Sequence, residues 1–135
     1  MDRRKKIAII DAFFQYFSTT EVDKALELLD DSVTWQAMGI SGGLPLSGIM
    51  DKQSIGKLMT SIRKAIPEGM KLTASGWTCE GNRVAVEMKS YGIKTNGVVY
   101  NNHYHFLVVL DGGKIQAIRE YMDTLHTKHV FIDNQ

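Results

Sequence analysis

Between Asn96 and Phe131 the chain runs NGVVYNNHYHFLVVLDGGKIQAIREYMDTLHTKHVF, two stretches of strand-forming residues divided by Asp111-Gly112-Gly113. Paired glycines reach positive φ without steric cost, so this segment is predicted to be a long hairpin. In its first strand Val98, Tyr100, Asn102, Tyr104, Phe106, Val108 and Leu110 share one face, and Val99, Asn101, His103, His105, Leu107 and Val109 share the other. The second strand, from Lys114 to about Leu125, puts Ile118, Glu120 and Met122 on one face and Ala117, Arg119, Tyr121 and Asp123 on the other. Polar groups stand among large apolar ones on both faces, whereas a sheet that only covered a core would show one cleaner apolar face. The mixture points to a polar-lined pocket or a wet interface; a bulge or a strained register would produce it as well.

Upstream, Ile7, Ile10, Phe13, Phe14 and Phe17 recur at helical spacing and predict a helix from about Lys5 to Phe17. Val22, Ala25, Leu26 and Leu29 mark a second helix, stopped by Asp30 and Asp31. A strand is predicted over Ser32–Met38, then a glycine-rich loop over Gly39–Gly48 with a brief extended piece at Leu44-Pro45-Leu46. Asp51 is placed to cap a third helix reaching about Ile66, ended by Pro67-Glu68-Gly69. Strands over Met70–Cys79 and Arg83–Lys94 follow, with turns at Glu80-Gly81-Asn82 and Thr95-Asn96-Gly97. Helices first and a strand meander last describe an α+β domain covering residues 1–135. Strands do not alternate with helices, and no glycine-rich phosphate loop follows a strand, which argues against a dinucleotide-binding fold.

Composition narrows the function classes. Net charge is +1 and hydrophobic residues make up 44%, so neither nucleic acid nor an anionic membrane is favoured as a partner. Cys79 stands alone, which excludes an intrachain disulfide framework. No uninterrupted apolar run resembles a signal peptide or reaches the ~20 residues of a membrane span, and a cytoplasmic protein is expected. His103 and His105 point the same way on a strand but lack neighbouring ligands, so a hydrogen-bonded or interface role is favoured over a metal site, and no cofactor is expected.

The candidate site residues come from strand parity. Glu120 stands among Ile118 and Met122, at a pocket wall or an exposed edge. If buried, its pKa would rise toward neutrality and suit it to proton transfer. Along Arg83–Lys94, Ala85, Glu87, Lys89, Tyr91 and Ile93 share one face, with Val84, Val86, Met88 and Ser90 on the other. Glu87 and Lys89 read as a solvent-facing pair on an edge strand, or as paired charges inside a cavity if helices close over that face. Trp35, Trp77, Tyr91, Tyr100 and Tyr104 could wall an apolar slot for a ring-shaped ligand, or simply pack the core.

The motifs Tyr100-Asn101-Asn102, Asp111-Gly112-Gly113-Lys114-Ile115 and Arg119-Glu120-Tyr121-x-Asp123-Thr124 resemble the polyketide-cyclase-like (SnoaL-like), ketosteroid-isomerase-related branch of the nuclear-transport-factor-two-like superfamily. The order of helices and strands extends the resemblance over nearly the whole chain. It implies a cone-shaped, strongly curved mixed sheet wrapped around three N-terminal helices, with a deep apolar pocket. It also implies a homodimer joined through the outer sheet face, for which His103, His105, Leu107 and Val109 are suited. Positions used by limonene-epoxide-hydrolase-like enzymes correspond to Glu87, Lys89 and Glu120, of which only Glu120 keeps its chemical type; their water-holding tyrosine and asparagine correspond to Trp35 and Ala37. The proton-carrying aspartate of steroid isomerases corresponds to Gln36 and their oxyanion-side acid falls near Phe106. The expected site is therefore Glu120 as proton carrier with Lys89 and Glu87 beside it. Trp35, Tyr91, Asn102, Tyr104 and Phe106 would line the ligand, with Tyr104 or Asn102 donating a hydrogen bond. The expected function is an isomerase, cyclase or dehydratase acting on an apolar cyclic or polyketide-like carbonyl compound, or a non-catalytic binder of a small hydrophobic molecule.

Overall fold

Helix α1 (Arg3–Ser18) turns Ile10, Phe13, Phe14 and Phe17 onto one buried stripe, and a sheet must close over it. In the computed structural model, which describes residues 1–135, that sheet does so. Asp2 starts α1 by accepting the Lys5 N–H at 2.9 Å. Helix α2 (Val22–Glu27) is short, and strand β1 (Leu29–Ala37) begins three residues earlier than its composition suggests. Leu29 is buried and paired with Ile115, so tertiary pairing overrides the local stop signal of Asp30 and Asp31. Asp30 instead turns back to accept the Ser32 N–H at 2.9 Å, beside a register shift between Leu29 and Thr34.

The brief extended piece expected at Leu44-Pro45-Leu46 lies at the end of the glycine-rich loop instead. Leu44–Ser47 forms a turn, closed by Ser47 N–H on the Leu44 carbonyl at 2.9 Å, and the extended piece comes after it as β2 (Gly48–Met50). Helix α3 (Lys52–Ala65) is capped by Asp51, which accepts the Ser54 N–H at 2.8 Å. Strands β3 (Lys71–Glu80), β4 (Arg83–Ile93), β5 (Val99–Tyr100), β6 (His103–Asp111) and β7 (Lys114–Met122) complete the sheet. Its order is β2-β1-β7-β6-β4-β3, with β5 added beside β4. All pairs are antiparallel except β1 and β7, which run parallel, a pairing that needs a long connection and has one in β2, α3 and β3–β6. The architecture is the α+β curved mixed sheet wrapped around N-terminal helices that the sequence implied.

Two features of the expected hairpin change. Its first strand breaks at Asn101-Asn102, and its second stops at Met122. Asp123 then caps a short helix α4 (Thr124–Lys128), accepting the His126 N–H at 3.2 Å, and a π-helical segment His129–Asp133 follows. The aromatic core forms where α1 meets the sheet: Phe14 lies 4.7 Å from Phe106 and Phe17 lies 5.4 Å from Trp35, centroid to centroid. Each such ring contributes about 1.5–3 kcal/mol relative to an exposed side chain.

Candidate functional site

The inner sheet face does not meet the helices everywhere. Between β1, β6 and β7 on one side and α1, α3 and the C-terminal segment on the other lies a cavity of about 430 Å³. Phe14, Phe17, Trp35 and Phe106 wall one part, Leu58 and Ile62 of α3 another, and Phe131 of the π-helical segment covers an end. Glu120, Ser61 and Thr127 are its polar residues, together with the hydroxyls of Tyr100 and Tyr104. The volume falls in the range of small-molecule sites.

Glu120 reaches this cavity because β7 alternates inward at Ile118, Glu120 and Met122, and the register sets it opposite Phe106 of β6 and Ala37 of β1. Its Oε1 accepts the Trp35 indole N–H at 3.1 Å. No cation joins it: the ion pairs of the molecule are Lys24–Glu21, Lys52–Asp31 and Lys128–Asp133. Burial raises its pKa from 4.5 to about 7, and the indole hydrogen bond offsets only part of that rise. At neutral pH the carboxyl group is thus divided between its two protonation states, which suits a group that both takes and returns a proton.

Beside it is a hydroxyl network. Tyr104 Oη lies 2.6 Å from Tyr100 Oη and 3.2 Å from Ser90 Oγ. Asn102 Nδ2 donates to Tyr100 Oη at 3.1 Å and to Thr127 Oγ1 at 2.9 Å. Burial pushes both phenols up, Tyr104 well above its ordinary value. For Tyr100 the hydrogen bonds from Tyr104, Asn102 and Thr127 pull the other way, because they stabilise negative charge on its oxygen. Both phenols also feel the charge of Glu120, so the acid and the tyrosines belong to one electrostatic unit.

Not every residue expected here is here. Glu87, Lys89 and Tyr91 project from the outer face of β4, where all three are exposed, and none lines the cavity. The expected Glu120–Lys89 pair does not form. Register explains this: Glu87 faces His105 and Lys89 faces His103, and those histidines lie on the outer side, opposite Tyr104 and Phe106. Nor is β4 an edge strand, since it lies between β6 and β3. Trp35, Tyr104 and Phe106 do line the cavity; Asn102 is buried just beyond the lining and touches Tyr100 instead. Tyr100, read only as a wall, offers its hydroxyl, and Ser90 and Thr127 were not singled out. Ser90 left a signal, as the one polar residue sharing a face with Val84, Val86 and Met88. No group of three His, Cys, Asp or Glu side chains gathers to hold a metal ion. No helix is long and apolar enough to cross a membrane.

Comparison with known proteins agrees with this architecture. An NTF2-like protein of unknown function from Burkholderia pseudomallei K96243 superposes with a TM-score of 0.81 at 15% identity, covering 98% of this chain and 99% of its own. TerC co-crystallised with polyporic acid gives 0.79 at 18% identity over 93% of this chain and 97% of its own. An LEH-like epoxide hydrolase from M. tuberculosis gives 0.75 at 15% identity over 91% and 86%. At such identities the likeness speaks for the fold alone. No curated protein sequence matches the chain. The family model for the SnoaL-like domain matches residues 10–118, from the middle of α1 to the inward turn of β7, and the chain belongs to the SnoaL-like family.

Proposed function

We propose that the protein is a small-molecule isomerase, cyclase or dehydratase of the ketosteroid-isomerase-related kind, acting on a neutral, apolar, ring-bearing carbonyl compound. The observation that carries this reading is Glu120, a carboxyl group with a pKa of about 7 opening on an apolar cavity that contains no cation. An anionic ligand would meet the ionised acid with nothing to offset the repulsion, so the substrate is uncharged where it lies in the cavity. In the proposed step, ionised Glu120 takes a proton from carbon next to the carbonyl group. The electron pair of that C–H bond moves onto the carbonyl oxygen, and the Tyr100 hydroxyl donates a hydrogen bond to the resulting enolate. Glu120 then returns its proton at a second carbon, which completes an isomerisation. Attack of the enolate carbon on a second carbonyl, with Glu120 giving its proton to the alkoxide formed, would be cyclisation instead; expulsion of a β-hydroxyl group that takes the Glu120 proton and leaves as water would be dehydration. The co-crystal of TerC with polyporic acid supports a cavity of this fold admitting an organic ligand. Epoxide hydrolysis is disfavoured, because the resemblance to limonene-epoxide-hydrolase-like enzymes puts Trp35 and Ala37 where those enzymes have their water-holding tyrosine and asparagine.

Non-catalytic binding is the competing reading, favoured by one observation: every buried side-chain nitrogen and oxygen already has a partner. Hydrogen–deuterium exchange at the α-carbon of neutral bicyclic ketones in D2O separates the two. The enzyme accelerates exchange, with a pH profile inflecting near 7, and Glu120→Gln abolishes it while ligand affinity persists. A protein that binds these ketones and exchanges no proton is a binder. We further propose a homodimer through the outer sheet face, where Tyr91, Tyr121 and Ile93 are 53%, 48% and 48% exposed beside Val99. A monomer in sedimentation at high micromolar concentration would contradict it.

A further inference from the structure

We infer that Asn102 is a positioning residue: it pins both ends of a hydrogen-bond chain, Ser90–Tyr104–Tyr100, so that the Tyr100 hydroxyl donates into the cavity. This inference rests on the reading of the cavity as a site for a carbonyl compound.

The argument is a count of protons. Asn102 is 1% exposed and sits at the break between β5 and β6. Its Oδ1 accepts the His103 N–H at 2.8 Å, which fixes the amide with Nδ2 toward Tyr100. An amide nitrogen only donates, so Tyr100 Oη accepts from Asn102 at 3.1 Å. At the other end, the Asn102 main-chain N–H donates to Ser90 Oγ at 2.9 Å. Between them stands Tyr104, with one proton and two neighbours. The contact to Tyr100 is 2.6 Å and that to Ser90 is 3.2 Å. The first pulls the Tyr100 pKa down and pushes that of Tyr104 up, as it does when Tyr104 is the donor; the second pulls Tyr104 down, as it does when Tyr104 accepts. Ser90, whose oxygen already accepts from Asn102, then donates its own proton to Tyr104. Run the other way, with Tyr100 donating to Tyr104 and Tyr104 to Ser90, the chain would leave the buried Ser90 proton without an acceptor. Tyr100 Oη therefore accepts twice, and its own proton is left for the cavity that its side chain lines.

The same amide donates to Thr127 Oγ1 at 2.9 Å and lies 3.2 Å from the Asp123 carbonyl. Asn102 thus joins the tyrosine pair to the start of α4.

Asn102→Asp tests this, because a carboxylate of the same shape can only accept. Tyr100 would then donate to residue 102 and no longer to the ligand. The probe is 1-tetralone carrying ¹³C at its carbonyl, with tetralin, the same skeleton without oxygen, as the control. In the wild-type protein the bound C=O stretch is shifted down from its position in an apolar solvent, and Tyr100→Phe removes the shift. Asn102→Asp removes it too and weakens tetralone about three- to tenfold, the effect of one hydrogen bond, with tetralin affinity unchanged. Loss of the shift in Tyr100→Phe but its retention in Asn102→Asp overturns this inference and leaves Tyr100 as the donor. An unchanged shift in Tyr100→Phe, or failure of the wild-type protein to bind tetralone, overturns the underlying reading of the cavity as well. Should Asn102→Asp not fold, Asn102→Ser is the second variant: it keeps the main-chain N–H on Ser90 Oγ but takes the amide donor from Tyr100 Oη. Polarisation by that amide strengthens the Tyr100 hydroxyl as a donor, so the shift should shrink without vanishing; a full wild-type shift in that variant overturns the inference.

Discussion

Replacing Glu120 by glutamine should make the protein more stable at alkaline pH and leave it nearly unchanged at acid pH. The native carboxyl group has its pKa raised from 4.5 to about 7 by burial. An acid whose folded pKa lies above its unfolded value holds its proton longer in the native state. Its ionisation therefore opposes folding, with no effect well below 4.5, an effect that grows as pH rises, and the full effect above about 7. The difference of about 2.5 units, at 1.36 kcal/mol per unit, amounts to roughly 3 kcal/mol by pH 8. Glutamine carries no charge at any pH, and its side-chain oxygen can still accept the Trp35 indole proton. Urea denaturation of both proteins at pH 5 and pH 8 reads the effect directly, because all other titrating groups cancel in the difference. The stability of Glu120→Gln relative to wild type should rise by about 2–3 kcal/mol between the two pH values. A difference that stays constant, or one that favours the wild type more at pH 8, would refute the argument that the carboxylate is poorly solvated in the cavity.

Trp35→Phe removes the one hydrogen bond that favours the ionised acid, so the Glu120 pKa should climb further above 7, read by NMR titration of ¹³C-labelled glutamate. Ser18→Ala should lower stability by about 1–3 kcal/mol in chemical denaturation, since the buried Ser18 hydroxyl donates to the Met70 carbonyl at 2.6 Å and accepts the Leu72 N–H at 2.9 Å, tying α1 to β3. Lys94→Met should loosen the C-terminal segment: Lys94 Nζ is buried against the carbonyls of Val130 at 2.7 Å and Asn134 at 2.5 Å, its only polar partners. Amide exchange over residues 124–135 should then quicken about tenfold, with the central strands unaffected.

The sequence revealed side-chain facing better than it revealed the site. Alternation alone separated Val84, Val86 and Met88 from Glu87 and Lys89, and set Glu120 with Ile118 and Met122, all as observed. Parity within a strand says which residues share a face, but not which faces of different strands form the inside. That depends on register, such as Phe106 opposite both Val86 and Glu120, which is fixed by packing against α1. Hence Glu87 and Lys89 could be read into a cavity that they face away from. The C-terminal helix was missed for a related reason. Thr124–Lys128 is too short for a periodic apolar stripe, and its start rests on a cap by Asp123 that also reads as the end of a strand. Strand β2 was displaced because Pro45 sits in a turn, so the extended backbone begins only at Gly48, whose φ of +137° suits glycine. What no pattern could supply was the void itself: its walls come from α1, α3, six strands and the C-terminal segment at once.

The account stands or falls on the state of the Glu120 carboxyl group, which ¹³C NMR titration of selectively labelled protein reads directly. The Glu120 resonance, assigned by its loss in Glu120→Gln, should titrate with a midpoint near 7, and saturation with 1-tetralone, which excludes water from the cavity, should move that midpoint upward. A midpoint near 4.5, the same with and without the ketone, would contradict the claim that this acid is buried in an apolar cavity and held ready to exchange a proton.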